Sequence, residues 1–191
     1  MERCELCSAE LGADHQHLFD PVHRRVACAC GSCALLFSGT GMKYKRVPRR
    51  IRHLESLQIT DGQWDSLRIP IEMAFFFHST PAGRIVAIYP SPAGATESLL
   101  PLDAWNEIAR DNPELNSMEE DVEALLVNRA GRGPGLCSAD YYVVPIDECY
   151  KLVGLIRTHW RGFSGGTQVW EEIARFFEAL HERSGRKEPH A

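Results

Sequence analysis

Apolar and polar positions alternate in short runs near the N-terminus and recur at helical spacing further along. "HQHLFD", "PVHR" and "RVACAC" predict a strand, a turn and a strand, with Asp20 and Pro21 at the reversal. Beyond a less regular stretch, "IPIEMAFFF" and "RIVAIY" are rich in β-branched and aromatic residues. They predict a β-hairpin joined across "HSTPAG", where Pro81 and Gly83 favour a turn. "YYVVPI" predicts a third strand, with Pro145 at its end or on an edge.

Four helices follow from caps and spacing. Asp103 can cap one that carries Trp105, Ile108 and Ala109 inward and stops at Pro113. Ser117 and Glu120 form a capping box for a second, with Val122, Leu125 and Leu126 on one face and Gly131 at its end. Asp147 can cap a third, in which Cys149, Leu152, Val153, Ile156 and Trp160 recur. Thr167 can cap the last, with Trp170, Ile173, Phe177 and Leu180 on its inner stripe and Gly185 beyond it. The spaced apolar residues of "HLESLQITDGQWDSLRIP" allow one further short helix. Strands and helices alternate irregularly, which predicts an α+β fold rather than a doubly wound sheet.

The cysteines add a second unit to this picture. Five of the 7 fall within the first 33 residues, and "SGTG" after "ALLF" marks the end of their module. The expected organisation is a zinc-ribbon-like module over 1–40, a basic linker with a short helix over 41–68, and an α+β domain over 69–185. That domain should hold a short antiparallel sheet and about four helices, and the tail 186–191 should fray.

Two C-x-x-C pairs, Cys4/Cys7 and Cys30/Cys33, are separated by 22 residues, near the spacing at which two knuckles close on one tetrahedral ion. A module of about 40 residues buries too little apolar surface to be stable alone, so the metal would supply much of its folding free energy. Cys28 forms C-x-C with Cys30, and in an extended strand both side chains point the same way, so it competes for the fourth position. His15 and His17 share a strand face and could complete a mixed site, or simply be solvated. Four thiolates suit zinc and iron alike. Rubredoxin-type iron sites place a glycine after each pair; here Ser8 and Ala34 stand there, which favours zinc and leaves iron as the alternative.

A net charge of −5 disfavours general affinity for nucleic acid or anionic membrane. Residues 43–52, "KYKRVPRRIR", run against that average, as a solvated linker, a strip for an acidic partner, or a phosphate contact. Cys149 falls on an apolar stripe and reads as a core thiol; Cys137, in a Gly/Pro loop, has no base nearby in sequence. The stretch between Pro90 and Ser98 reads as a structural or partner-contact loop, with a small-molecule site as the alternative. "RTHWRGFSGG" collects Arg157, His159 and Arg161 at a helix end, where the dipole favours cations. No catalytic constellation is visible, so an enzyme is not the expectation. The longest apolar run, "MAFFF", is far too short to span a bilayer, and the N-terminus lacks a signal-peptide pattern, which points to the cytoplasm.

"CELC", "CACGSC", "IPIEMAFFF", "YPSPAGATESLLPLDAW", "DVEALLVNR" and "PIDECYKLVGLIRTHWRGFSGGTQVW" together resemble an uncharacterised protein family encoded beside actinobacterial uptake NiFe-hydrogenase genes. The resemblance covers nearly the whole chain, and Cys4, Cys7, Cys30 and Cys33 match the family's cysteine pattern. It implies a setting of hydrogenase assembly, maturation or electron delivery, with hydrogenase subunits or maturation proteins as partners, and no catalytic residue. The expectation is therefore a zinc-binding accessory protein acting through protein–protein contacts. A rubredoxin-like iron electron carrier and a zinc-ribbon nucleic-acid regulator are the alternatives.

Overall fold

The computed structural model describes residues 2–130, 139–162 and 165–185. Gly131, Cys137 and the tail expected to fray lie outside the described residues.

At the N-terminal end, β1 (Gln16–Asp20) and β2 (Arg25–Ala29) pair antiparallel. The buried Asp20 carboxylate fixes their reversal by accepting the backbone N–H groups of Val22 and His23 at 3.1 and 3.2 Å. The chain then enters α1 (Gly31–Phe37), and β3 (Lys45–Arg46) adds to the other edge of β1. Strand alternation gives this hairpin two working faces. Leu18 and Ala29 join Cys4, Cys33 and Ala34 in a small core of the module's own. Phe19 and Val26, on the opposite face, pack into the core of the larger domain.

That domain is built on a six-stranded antiparallel sheet. Its spatial order runs from β4 (Arg52–His53) through β9 (Asp140–Pro145), β8 (Glu123–Asn128), β5 (Met73–Ser79) and β6 (Arg84–Ser91) to β7 (Gly94–Ser98). Phe75, Phe77, Val86, Ile88, Leu126, Tyr142 and Val144 line one face, beneath α4 (Ile146–His159) and α5 (Gly166–Ser184). Ala74, Phe76, Ala87, Leu125, Val127 and Tyr141 line the other, against α2 (Asp61–Ser66), α3 (Leu102–Asp111) and the 3-10 turn Pro113–Ser117. Helices on both faces explain why the central strands are apolar at every position rather than at alternate ones. The fold is α+β, and among the described residues no helix is long and apolar enough to cross a membrane.

Several expected elements differ. The helix expected from Ser117 to Gly131 is strand β8, because a continuous apolar run buried on both sheet faces carries no period that separates it from a helix. The stretch between Pro90 and Ser98, expected as a structural or partner-contact loop, is a hairpin: Ser91 pairs with Gly94 as β6 turns into β7. "GSCALLF", given no helix by its pattern, forms α1. Caps shift as well: Pro101, Pro145 and Gly165 occupy the N-cap positions of α3, α4 and α5, with Asp103 and Asp147 inside the first turn. On α5 Ile173, Phe177 and Leu180 are buried as expected, but Val169 is buried in place of Trp170, which is 46% exposed.

Residues 43–52 run between the two sheets and give their charges to both sides. Lys43 reaches Asp20, Arg49 reaches Asp14, and Arg46 donates to Gln16, all on the module. Lys45 pairs with the fully buried Asp121 at 2.6 Å, and Arg50 grips the fully buried Glu123 through two contacts of 2.6 and 3.0 Å. Arg52 donates to Ser117 at 3.1 Å. Two buried carboxylates thus obtain their cations from this strap.

Candidate metal centre

The first C-x-x-C pair sits on a tight turn. Ser8 N–H donates to the Cys4 carbonyl and Cys4 N–H to the Ala9 carbonyl, each at 2.8 Å. Ser8 adopts φ 61°, the left-handed conformation that glycine takes most easily. The turn therefore forms with serine where a glycine would be easiest.

The second pair is placed by a helix. β2 ends at Ala29, and Cys30 becomes the N-cap of α1, its sulfur accepting the Cys33 N–H at 3.5 Å. Cys33 lies in the first turn and is buried. Knuckle, hairpin and helix N-terminus bring the sulfurs of Cys4, Cys7, Cys30 and Cys33 to within 4.8 Å of one another. Cys7 and Cys30 Sγ stand 3.7 Å apart as free thiols. A tetrahedral ion with metal–sulfur bonds of about 2.3 Å requires sulfur–sulfur edges of about 3.8 Å, so the four side chains fit one metal ion. Cys4 and Cys33 close the inner side of the cluster while Cys7 is exposed.

The thiols are electrostatically unequal. Burial works against charge at Cys4, but backbone N–H groups around it, foremost that of Cys30, bring its thiol down to about 6. Burial and the neighbouring thiols of Cys7, Cys30 and Cys4 push Cys33 up to about 12. One thiolate is thus ready near neutral pH, whereas Cys7 and Cys33, both raised, need a cation to release their protons.

The remaining sequence candidates fall elsewhere. Cys28 lies outside the four-sulfur group: it faces His17 across the β1–β2 ladder, and His15 and His17 group with it rather than with the four cysteines. Cys149 is fully buried in the core, and burial, with Asp147 and Glu148 nearby, holds its thiol well above the ordinary value. Arg161 and His159 donate to carbonyls at the end of α4, the role the dipole favours there. One contributor carried no signal in its pattern. Glu5, inside "CELC", accepts the Cys28 N–H through its carboxylate at 2.8 Å and donates its own N–H to the Cys28 carbonyl at 2.9 Å, fastening the knuckle to β2.

Over residues 3–184 the chain matches the model of a family of unknown function, DUF5947, and it belongs to that family. The match spans the cysteine module and the six-stranded domain together. No curated protein and no solved structure matches.

Proposed function

We propose that this chain is a cytoplasmic zinc-binding accessory protein that works by protein–protein contact in the assembly or maturation of a NiFe hydrogenase. The observation that carries this reading is the helix α1. Its first turn bears Cys33, while Leu35, Leu36 and Phe37 behind it are 73%, 66% and 45% exposed. A four-thiolate cage leaves no coordination position for a substrate, so its ion serves to hold the fold. What it holds here is a short helix that presents consecutive large apolar residues to solvent, the composition of a protein contact surface. Hydrogenase subunits or maturation proteins are the partners implied by the sequence resemblance.

The rival nucleic-acid reading loses its support, because each of the six cations of residues 43–52 has a partner within the chain. An iron electron carrier draws support from Cys7, whose exposure offers an electron a short path to the surface. Protein produced with both metals available should be colourless with zinc in the four-cysteine site; a red, iron-loaded protein would favour the carrier. Tagged protein should retain hydrogenase subunits, and Leu36→Asp should abolish that association while leaving the metal bound. A deletion strain should lose hydrogenase activity. Normal activity with no association overturns the proposal.

A further inference from the structure

The hairpin face opposite the four-cysteine cluster carries a second constellation. His17 in β1 stands directly across from Cys28 in β2, and His15 precedes His17 by two residues on the same face. The two imidazoles bring their Nε2 atoms to 3.1 Å. Each outer nitrogen is already committed: His17 Nδ1 lies 2.6 Å from Asp147 Oδ2 in α4, and His15 Nδ1 lies 3.0 Å from the Gly12 carbonyl oxygen. A carboxylate and a carbonyl only accept, so both Nδ1 atoms carry the proton. At 3.1 Å the two Nε2 atoms then share a cation, either a second proton on one ring or a metal ion held by both lone pairs.

The third donor is in place. The Cys28 sulfur and one nitrogen of each imidazole lie within 4.8 Å of one another. With metal–nitrogen bonds of about 2.0–2.1 Å, the separation of the Nε2 atoms subtends about 100° at an ion, close to the tetrahedral angle. Metal-binding histidines characteristically donate their other N–H to a carboxylate or a backbone carbonyl, as both do here. The His15 and His17 side chains are only 8% and 22% exposed, so neither is freely solvated.

We propose that His15 Nε2, His17 Nε2 and Cys28 Sγ form a second metal site, separate from the four-cysteine centre, for a divalent first-row transition ion such as zinc. Asp147 is its positioning residue, fixing the tautomer and orientation of His17. Three protein ligands leave a fourth position for water or a small anion, and a cleft of about 200 Å³ lined by His15, His17, Asp147, Arg49, Lys151 and Arg183 reaches both imidazoles. Ligands come from the module and the positioning carboxylate from α4, so occupancy fastens the module onto the domain.

Cobalt(II) titrated into the reduced, metal-free full-length protein, followed by its absorption spectrum and by elemental analysis, tests this. Wild type should take up two equivalents. Cys28→Ser and His17→Ala should each take up one, keeping the sulfur-to-cobalt bands of the four-cysteine site. Asp147→Asn, which keeps all three ligands, should bind the second equivalent about 10- to 100-fold more weakly. A single equivalent in the wild type overturns the proposal, and so does a second equivalent that survives in Cys28→Ser combined with His17→Ala. Neither result bears on the hydrogenase reading, which rests on the other four cysteines and on α1.

Discussion

Cys28 and Cys30 are two residues apart, yet they belong to different constellations. An extended strand would point both side chains the same way, which is why Cys28 competes for the fourth position when the sequence is considered alone. In the structure β2 ends between them, and Cys30 turns into the N-cap of α1 while Cys28 stays on the ladder opposite His17. The C-x-x-C spacing of Cys4, Cys7, Cys30 and Cys33 was readable because a repeated interval reflects a repeated local geometry. The partner of Cys28 was not, since ladder register and the contact with Asp147, 130 residues away, depend on tertiary packing. Cys30→Ser should therefore lose the four-cysteine ion and unfold the knuckle-and-helix end of the module, whereas Cys28→Ser should retain that ion. Metal analysis coupled to limited proteolysis, with faster cleavage in Cys30→Ser than in Cys28→Ser, distinguishes the two variants.

At the scale of elements, hydrophobic pattern located the hairpins β1–β2 and β5–β6 and the helices α3, α4 and α5, whose apolar positions follow a clear period. It failed at β8, whose run "EALLVN" packs Leu126 toward α4 and α5 and Leu125 toward the opposite helices, leaving no polar face to mark the alternation. Helix starts were displaced for a different reason: Pro101, Pro145 and Gly165 begin their helices by backbone conformation, without a capping side chain. Gly165 is the most constrained of them. It holds φ 86°, and a Cβ there would lie 2.8 Å from Val169 Cγ1 and 3.1 Å from the Trp160 ring. Gly165→Ala should destabilise the protein by about 1–3 kcal/mol through overpacking and left-handed strain, read as a lower midpoint in urea unfolding with an unchanged slope.

Across the whole molecule, module and domain are joined where Phe19 and Val26 enter the core beneath α4 and α5, by the strap and by several ion pairs. Arg24, in the turn between β1 and β2, reaches Glu97 on β7 at 2.7 Å, and Arg84 holds the same carboxylate at 2.9 Å. Burial alone would raise the Glu97 pKa, but Arg24 and then Arg84 outweigh it and leave it below the ordinary 4.5. A carboxyl with a depressed folded value contributes stability above its unfolded value and loses it as pH falls through the folded one. Wild type should thus be more stable than Glu97→Gln at pH 7, and the gap should close in unfolding curves recorded progressively below pH 4.5. High salt should narrow the gap too, because the pair is partly exposed. The strap explains why the basic stretch was misleading as sequence: its charges are spent on carboxylates such as Asp121 and Glu123 that lie far from it along the chain.

The central claim is that Cys4, Cys7, Cys30 and Cys33 together enclose one ion. X-ray absorption at the zinc edge of zinc-loaded Cys28→Ser, in which the second constellation lacks its sulfur, tests it most directly. The expected result is a single shell of four sulfur neighbours at about 2.3 Å. A mixed shell of sulfur with nitrogen or oxygen would contradict it.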